Sequence, residues 1–356
     1  MTDGRRGRVT SKRRSAPTMQ DVARSAGVSQ ATVSLVLNSV AGVRVSEQTR
    51  SRVIEAASKL GYRKVARLRA DERVGSAIGL VIDDVAASPF AIPLFEGARE
   101  AAWLHRCIVT IVSTRNNEDL ESATIQSMLS VPVIGIIYAT LITRPVRPPS
   151  LPADVPLVLL NCYDETGANV STIPDDVGGA YALTNALLAA GHTRIGHIAG
   201  EPWLDAGRDR LEGYRRALED RGIAFDPRLV ESLGSAVAAG HDGTQALLDL
   251  SDPPTAIFCF NDRMAIGALD ATRSRGLRVP EDLSIVGFDN DPFAAPLFPG
   301  GLTTAVLPHE EMARWAVEHI IDVRHKRRGA EPVQHRASCP IVRRGSIRRI
   351  VQARHA

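Results

Sequence analysis

With 356 residues, 44% hydrophobic and 23% charged, the chain reads as water-soluble and globular, and long enough for two or three domains. No run of eighteen apolar residues occurs, which excludes a transmembrane helix from the reading, and the basic opening MTDGRRGRVTSKRRSAP lacks the apolar stretch of a secretory signal. A formal charge of +3 hides an asymmetry: residues 1–73 hold sixteen Lys and Arg against six Asp and Glu, a balance of +10 that leaves −7 for the remainder. One end of the molecule is therefore suited to docking on phosphate.

Residues 1–17 are expected to form a basic, disordered arm. Three short helices are expected from Thr18 to Gly61. The first opens on Thr18 as a hydroxyl N-cap, with Asp21 three residues on, and carries Val22, Ala23 and Ala26 before Gly27 ends it. The second opens on Ser29 and carries Val33, Val36 and Leu37 before Asn38-Ser39 stops it. The third opens on Ser46, carries Val53, Ala56, Ala57 and Leu60, and ends at Gly61. Two helices joined by a tight Gly-Val-Ser turn, with a third packed across them, make a helix-turn-helix unit, whose second helix is shaped for a DNA major groove.

The run DVARSAGVSQATVSLVLN closely resembles the headpiece signature of the LacI/GalR family of bacterial transcriptional regulators. The resemblance implies that Gln30 and Ala31 face base edges, Gln pairing with adenine and the Ala methyl packing on a thymine methyl. It makes Thr32 and Ser34 candidates for phosphate or positioning contacts, and extends the expected DNA-facing set to Thr18, Ser29, Leu35 and Asn38. The family usually carries Arg where this chain has Leu35, so a guanine-reading fork is missing and the operator is expected to differ there.

Residues 62–77 read as a linker. Members of the family carry Pro-Asn here, followed by a short helix whose Leu wedges into the minor groove. This chain keeps Val65-Ala66-Arg67-Leu68 without the Pro-Asn, so Leu68 is the candidate wedge and Arg67 a flanking contact, the alternative being a basic tether that meets only phosphates.

From Ile78, probable strands (78–83, 107–114, 135–140, 156–161, 194–200, 256–261 and 284–290) alternate with helical patterns such as PLFEGAREAAWLH and DRMAIGALDATRSRG. Continuous apolar strands between amphipathic helices predict an α/β body, 78–356, of parallel sheets covered on both faces. Its length predicts two lobes, divided near residue 170. Cys107, Cys162, Cys259 and Cys339 are widely spaced and read as buried free thiols of a reducing cytoplasm.

GHTRIGHIAG, RDRLEGYRRAL, NDRMAIGAL and GLRVPEDLSIVGFDN resemble the same family's ligand-binding body, a fold shared with periplasmic sugar-binding proteins. The resemblance implies three chain crossings between lobes, with residues 302–321 returning to the first lobe and the last strand nearby. It also implies a homodimer and a small polar effector, a sugar or sugar derivative, in the cleft between lobes. Candidate effector ligands are Asp289 and Asn261 at strand ends, Arg208 before RLEGYR, Phe90 as a stacking face, and Asp83 and Thr114 ending the first two strands. Trp203 is a further candidate, and Asp262 is balanced between cleft and helix cap. Asn161-Cys162-Tyr163 replaces a usual Asp-Arg pair, which removes a cationic group.

No G-x-S-x-G elbow or GK[ST] loop appears, and His192 and His197 lack the spacing of a helical metal pair, so neither catalysis, a cofactor nor a metal is expected. The expectation is a cytoplasmic regulator, most simply a repressor of a carbohydrate-utilisation operon, on a near-palindromic double-stranded operator. The alternative is the solute-binding component of a sugar transport system, which shares the body fold and would have to be exported.

Overall fold

In the computed structural model, which describes residues 19–37, 45–60, 76–84, 91–327, 329 and 331–350, the three expected helices are α1 (Met19–Ala26), α2 (Gln30–Leu37) and α3 (Glu47–Leu60). The Thr32 amide donates to Ser29 Oγ at 3.1 Å and the Thr49 amide to Ser46 Oγ at 3.2 Å, so each serine satisfies one of the orphan donors of its helix. Gly27 sits at φ 65°, which lets the Val28 amide reach back to the Ala23 carbonyl at 3.1 Å and close α1. Val22, Ala23, Ala26, Val33, Val36, Val53, Ala56 and Ala57 form the small core. The expected boundary residues Thr18 and Gly61 lie outside the described residues.

Residues 1–73 and 74–356 are separate compact units. In the second, β1 (Ser76–Ile82), β2 (Cys107–Ser113), β3 (Val133–Pro145), β4 (Leu157–Tyr163), β5 (Val170–Pro174) and β11 (Gln334–Ala337) form a parallel sheet ordered β11-β5-β4-β3-β1-β2. The helices α4 (Ala91–Leu104) and α10 (His309–Arg324) pack on Ile78, Leu80, Ile82 and Ile137. On the other face, α5 (Glu118–Leu129) covers Val81, Ile136 and Leu159.

A second sheet is ordered β12-β10-β9-β8-β6-β7 from β6 (Ile195–Ala199), β7 (Val230–Ser232), β8 (Ala256–Cys259), β9 (Ser284–Asp289), β10 (Thr303–Val306) and β12 (Ile341–Val342). Its one antiparallel pairing is β10 with β12. Helices α6 (Asp176–Ala189) and α7 (Asp205–Glu219) bury Leu183, Tyr214 and Ala217 against Phe258 and Phe288, while α8 (Val237–Leu248) and α9 (Asp262–Ser274) bury Leu247, Met264 and Ala268 against Ile257 and Ile285.

The lobe boundaries differ in detail from those expected. Residues 170–174 still belong to the first sheet as β5, because Val158–Leu160 pair with Val170–Thr172, so the chain crosses only afterwards. The segment 302–321 does not return as one piece: β10 pairs with β9, and the return begins at Pro308, from which α10 leads to the first lobe. A third crossing separates β11 in the first sheet from β12, the last strand, in the second. No helix among the described residues is long and apolar enough to cross a membrane.

Candidate functional site

In the first unit, the turn at Gly27 and the Ser29 cap present the opening of α2. Gln30 and Ala31 are exposed, whereas Val33 and Val36 on the same helix are buried against α1 and α3. Thr32, Ser34 and Leu35 are partly covered. The Ser29 and Thr32 hydroxyls are 2.9 Å apart and bonded to each other, so both help to fix the first turn. An exposed carboxamide and methyl on the opening turn of a rigid helix can read base edges in a groove. Thr18, Asn38, Arg67 and Leu68 lie outside the described residues.

In the second unit, both sheets place a strand-order reversal at the same cleft. The first sheet reverses between β1 and β3, the second between β6 and β8, and in parallel α/β sheets a crevice opens beyond such strand ends. A cavity of about 470 Å³ lies there. Asp83 and Asn161 line it from the first lobe, and Arg210, Asn261 and Asp289 from the second. Leu307 and His309, at the second crossing, complete it. A further cavity of about 350 Å³ shares Asp83, Asn116 and Leu204 with it and is bordered by Arg144, Trp203 and Asp205. Tyr163 donates to Asp205 Oδ2 at 2.8 Å, tying the end of β4 to the start of α7 across the two lobes.

Arg210 is the centre of the site. It is 3% exposed, its Nε donates to Asp176 Oδ1 at 2.7 Å, and its Nη1 reaches the Phe260 carbonyl at 2.6 Å and Asp289 Oδ1 at 3.5 Å. Its guanidinium lies 3.6 Å from the centre of the Phe288 ring and 4.5 Å from that of Phe260. Burial, reinforced by the nearby Asp262, Asp176 and Asp291, pushes the Asp289 carboxyl well above its ordinary range against the pull of Arg210. Asp289 also has φ 114°, while its neighbour Asn290 and the cavity residue Asn161 have φ 56° and 58°. Side-chain-bearing residues adopt these conformations at a cost of about 1–3 kcal/mol each, as ligand-clamping loops often do. Burial, with the Arg210 charge, lowers the His309 imidazole to about 4, so His309 enters the site neutral.

The structure thus brings Asp83, Asn261 and Asp289 to one cavity. Asn261 is largely occupied: its Oδ1 caps α9 by accepting from the Met264 amide at 2.8 Å, and its Nδ2 donates to the Ser235 carbonyl at 3.0 Å. Asp262 accepts from the Asp291 amide and the Thr304 hydroxyl, both at 2.7 Å, and burial raises its carboxyl to about 7. The expected role of Arg208 needs correction. This residue is exposed, pairs with Asp205 and donates to the Trp203 carbonyl at 3.2 Å, and does not line the cavity; Arg210, two residues on, does. Thr114 is buried against the Ile82 carbonyl at 3.4 Å and does not line it either. Phe90 lies outside the described residues. Asp176, Arg210 and His309 are not among the residues expected in the cleft, and Asn161 enters the expectation only through the Asn161-Cys162-Tyr163 departure from the family pattern. Among the described residues, no group of three or more His, Cys, Asp or Glu side chains could hold a metal ion.

Comparison with known proteins agrees with both halves of this geometry. Residues 18–64 match the model for bacterial regulatory proteins of the lacI family, and residues 184–347 match a periplasmic binding protein-like domain. The chain is 34% identical over 349 residues to the HTH-type transcriptional repressor CytR of Escherichia coli K12, covering 95% of this chain and 98% of the relative. A LacI-family transcriptional regulator from Rhizobium etli has a similar structure, with a TM-score of 0.70 and 29% identity over 76% of this chain and 99% of that one. The complex of the transcriptional regulator CelR with cellobiose is similar with a TM-score of 0.61 and 28% identity, over 93% of this chain and 99% of that one.

Proposed function

Because this chain belongs to the LacI family of bacterial regulatory proteins, we propose that it is a cytoplasmic repressor whose headpiece reads a near-palindromic operator and whose body answers to a sugar-like effector. The exposed Gln30-Ala31 pair on a capped, rigid helix carries the DNA-binding half of this reading. The polar, two-lobed cleft around Arg210 and Asp289, and the likeness to a regulator that holds cellobiose, support the effector half. In this reading residues 18–61 are the headpiece, 62–77 the connection and 78–356 the effector-binding and dimerising body. Two headpieces of a homodimer engage two half-sites, and the effector changes operator affinity through a coupling free energy of about 1–3 kcal/mol.

The test is operator binding by Gln30→Ala, measured against a library of half-site variants. Loss of roughly 1–3 kcal/mol, with relaxed preference at one symmetric pair of positions, is the expected result. An equal loss on every sequence would assign Gln30 to the phosphate backbone and remove the base-reading role.

A further inference from the structure

We propose that the cleft selects an uncharged ligand and rejects the phosphorylated form of the same molecule. The inference rests on the effector-cleft reading above and deepens it to a ligand class. Of the ionisable groups lining the inner cavity, Asp83, Asp84, Asp176 and Asp289 are carboxyls, against the two guanidiniums of Arg210 and Arg263. The buried guanidinium, that of Arg210, is already committed. Arg210 is bonded to Asp176 and to the Phe260 carbonyl, faces Asp289, and packs against the rings of Phe288 and Phe260. Arg263 is half-exposed and lies 3.9 Å from the buried carboxylate of Asp291, near enough to feel its charge.

A second, independent feature points the same way. A phosphate entering an α/β cleft is ordinarily met by the backbone amides and positive dipole of a helix N-terminus. Four helices that open on this cleft carry an acidic side chain in their first turn: Asp176 on α6, Asp205 on α7, Asp262 on α9, and Glu310 and Glu311 on α10, whereas α8, which opens two residues after the cavity residue Ser235, carries none. Four of the five helix N-termini around the cavity are thus already supplied with an acidic group by the protein itself. A phosphate monoester brings a charge of about −1.5 to −2 at neutral pH. Seated against Arg210, it must compete with Asp176 and Asp289 for that guanidinium and lie among an excess of acidic groups, which low-dielectric surroundings disfavour.

Hydroxyl groups meet the opposite situation. Carboxylates accept from several donors at once, and Asp83, which takes the Leu141 amide at 3.1 Å and Arg144 at 3.3 Å, reaches the cavity from the end of β1. The cleft therefore reads the free polyol. The class of reaction that extinguishes the signal is phosphoryl transfer to a ligand hydroxyl, in which the hydroxyl oxygen bonds to the transferred phosphorus of a nucleoside triphosphate or phosphoprotein donor, the donor's bond to that phosphorus breaks, and the hydroxyl proton is released.

Isothermal titration of the full-length protein with matched pairs tests this: glucose and glucose 6-phosphate, ribose and ribose 5-phosphate, cellobiose and cellobiose 6-phosphate, adenosine and its 5′-monophosphate. The expected result is that the tightest ligand is uncharged and that its phosphate ester binds at least tenfold more weakly. An ester that binds as tightly as its parent, or more tightly, overturns the proposal while leaving the effector cleft in place. Silence from every pair, or a bound ligand indifferent to Asp289→Asn, overturns the effector-cleft reading itself and this proposal with it.

Discussion

Arg208 and Arg210 are alike in charge and two positions apart, yet the fold gives them unrelated tasks. On a helix, two positions are a rotation of roughly 200°, so one of the pair must face away from the sheet. The buried stripe of α7 runs Gly207, Arg210, Gly213, Tyr214, Ala217 and Leu218. That spacing is readable in RDRLEGYRRAL, and it assigns Arg210 to the inside; attention to charge without periodicity picks Arg208. The consequence is measurable in urea denaturation. Arg210→Ala leaves Asp176 and Asp289 buried without their cation and should cost about 3–5 kcal/mol. Arg208→Ala removes an exposed pair with Asp205 and should cost no more than about 1 kcal/mol. Equal costs for the two would refute the assignment of Arg210 as the buried keystone of the site.

At the scale of elements, the helix pairs that flank the second sheet are held at backbone contact. A Cβ added at Gly240 of α8 would lie 2.0 Å from the Met264 carbonyl oxygen of α9, and one at Gly267 of α9 would lie 1.9 Å from the Val237 carbonyl oxygen of α8. Gly213 meets the Val177 carbonyl of α6 in the same way, at 2.3 Å. Gly267→Ala gains helix propensity of about 1 kcal/mol. It must nonetheless push two backbones apart, and overpacking of roughly 1–3 kcal/mol or more should win, lowering the denaturation midpoint. Gly243→Ala meets the buried Ile198 side chain, at 2.8 Å, and no backbone atom, and should cost less; the reverse order would show that α8 can shift freely. The same glycines explain what the sequence concealed. VAAGHDGTQALL shows its helix only weakly, because its contact positions are glycine and small residues. The short β5 carries buried Ser171 and Thr172 and ends in proline, so its membership of the first sheet could not be read from apolar runs. The long apolar strands and the headpiece helices were legible because each states its period or its caps within a few residues. Asp289 was legible for a similar reason, since it ends such a strand, whereas Asp176 and His309 enter the cleft only through crossings that local patterns do not encode.

Across the whole body, buried titratable groups oppose one another, and this sets how stability responds to pH. Burial lowers His192, His197 and His309, the last two to about 4, so the native state keeps them neutral while unfolded histidines take up protons below about 6.5. Acidification through that window therefore favours unfolding. Burial also raises Asp209, Asp262 and Asp289, Asp262 to about 7, so the native state holds protons that unfolded carboxyls have released above about 4. Acidification through the same window therefore favours folding by these groups. The slope of stability with pH follows the difference in bound protons, so the two sets offset each other in part. The urea midpoint should therefore fall less between pH 6.5 and 4.5 than the buried histidines alone would make it. Below about 4 the balance ends. Hydrogen bonds from Thr166, Asn169 and Ala168 outweigh burial at Asp164 and hold its carboxyl at about 2, so its contribution, complete above about 4, is lost as pH falls toward 2. His309→Gln removes one proton-excluding group from the native state and should tilt the balance: relative to the parent chain, stability should rise as pH falls from 6.5 to 4.5, by up to about 1.4 kcal/mol per pH unit. A steep loss of stability over that window in the parent chain would mean that Asp262 and Asp289 are ionised when folded and that the histidines alone set the slope.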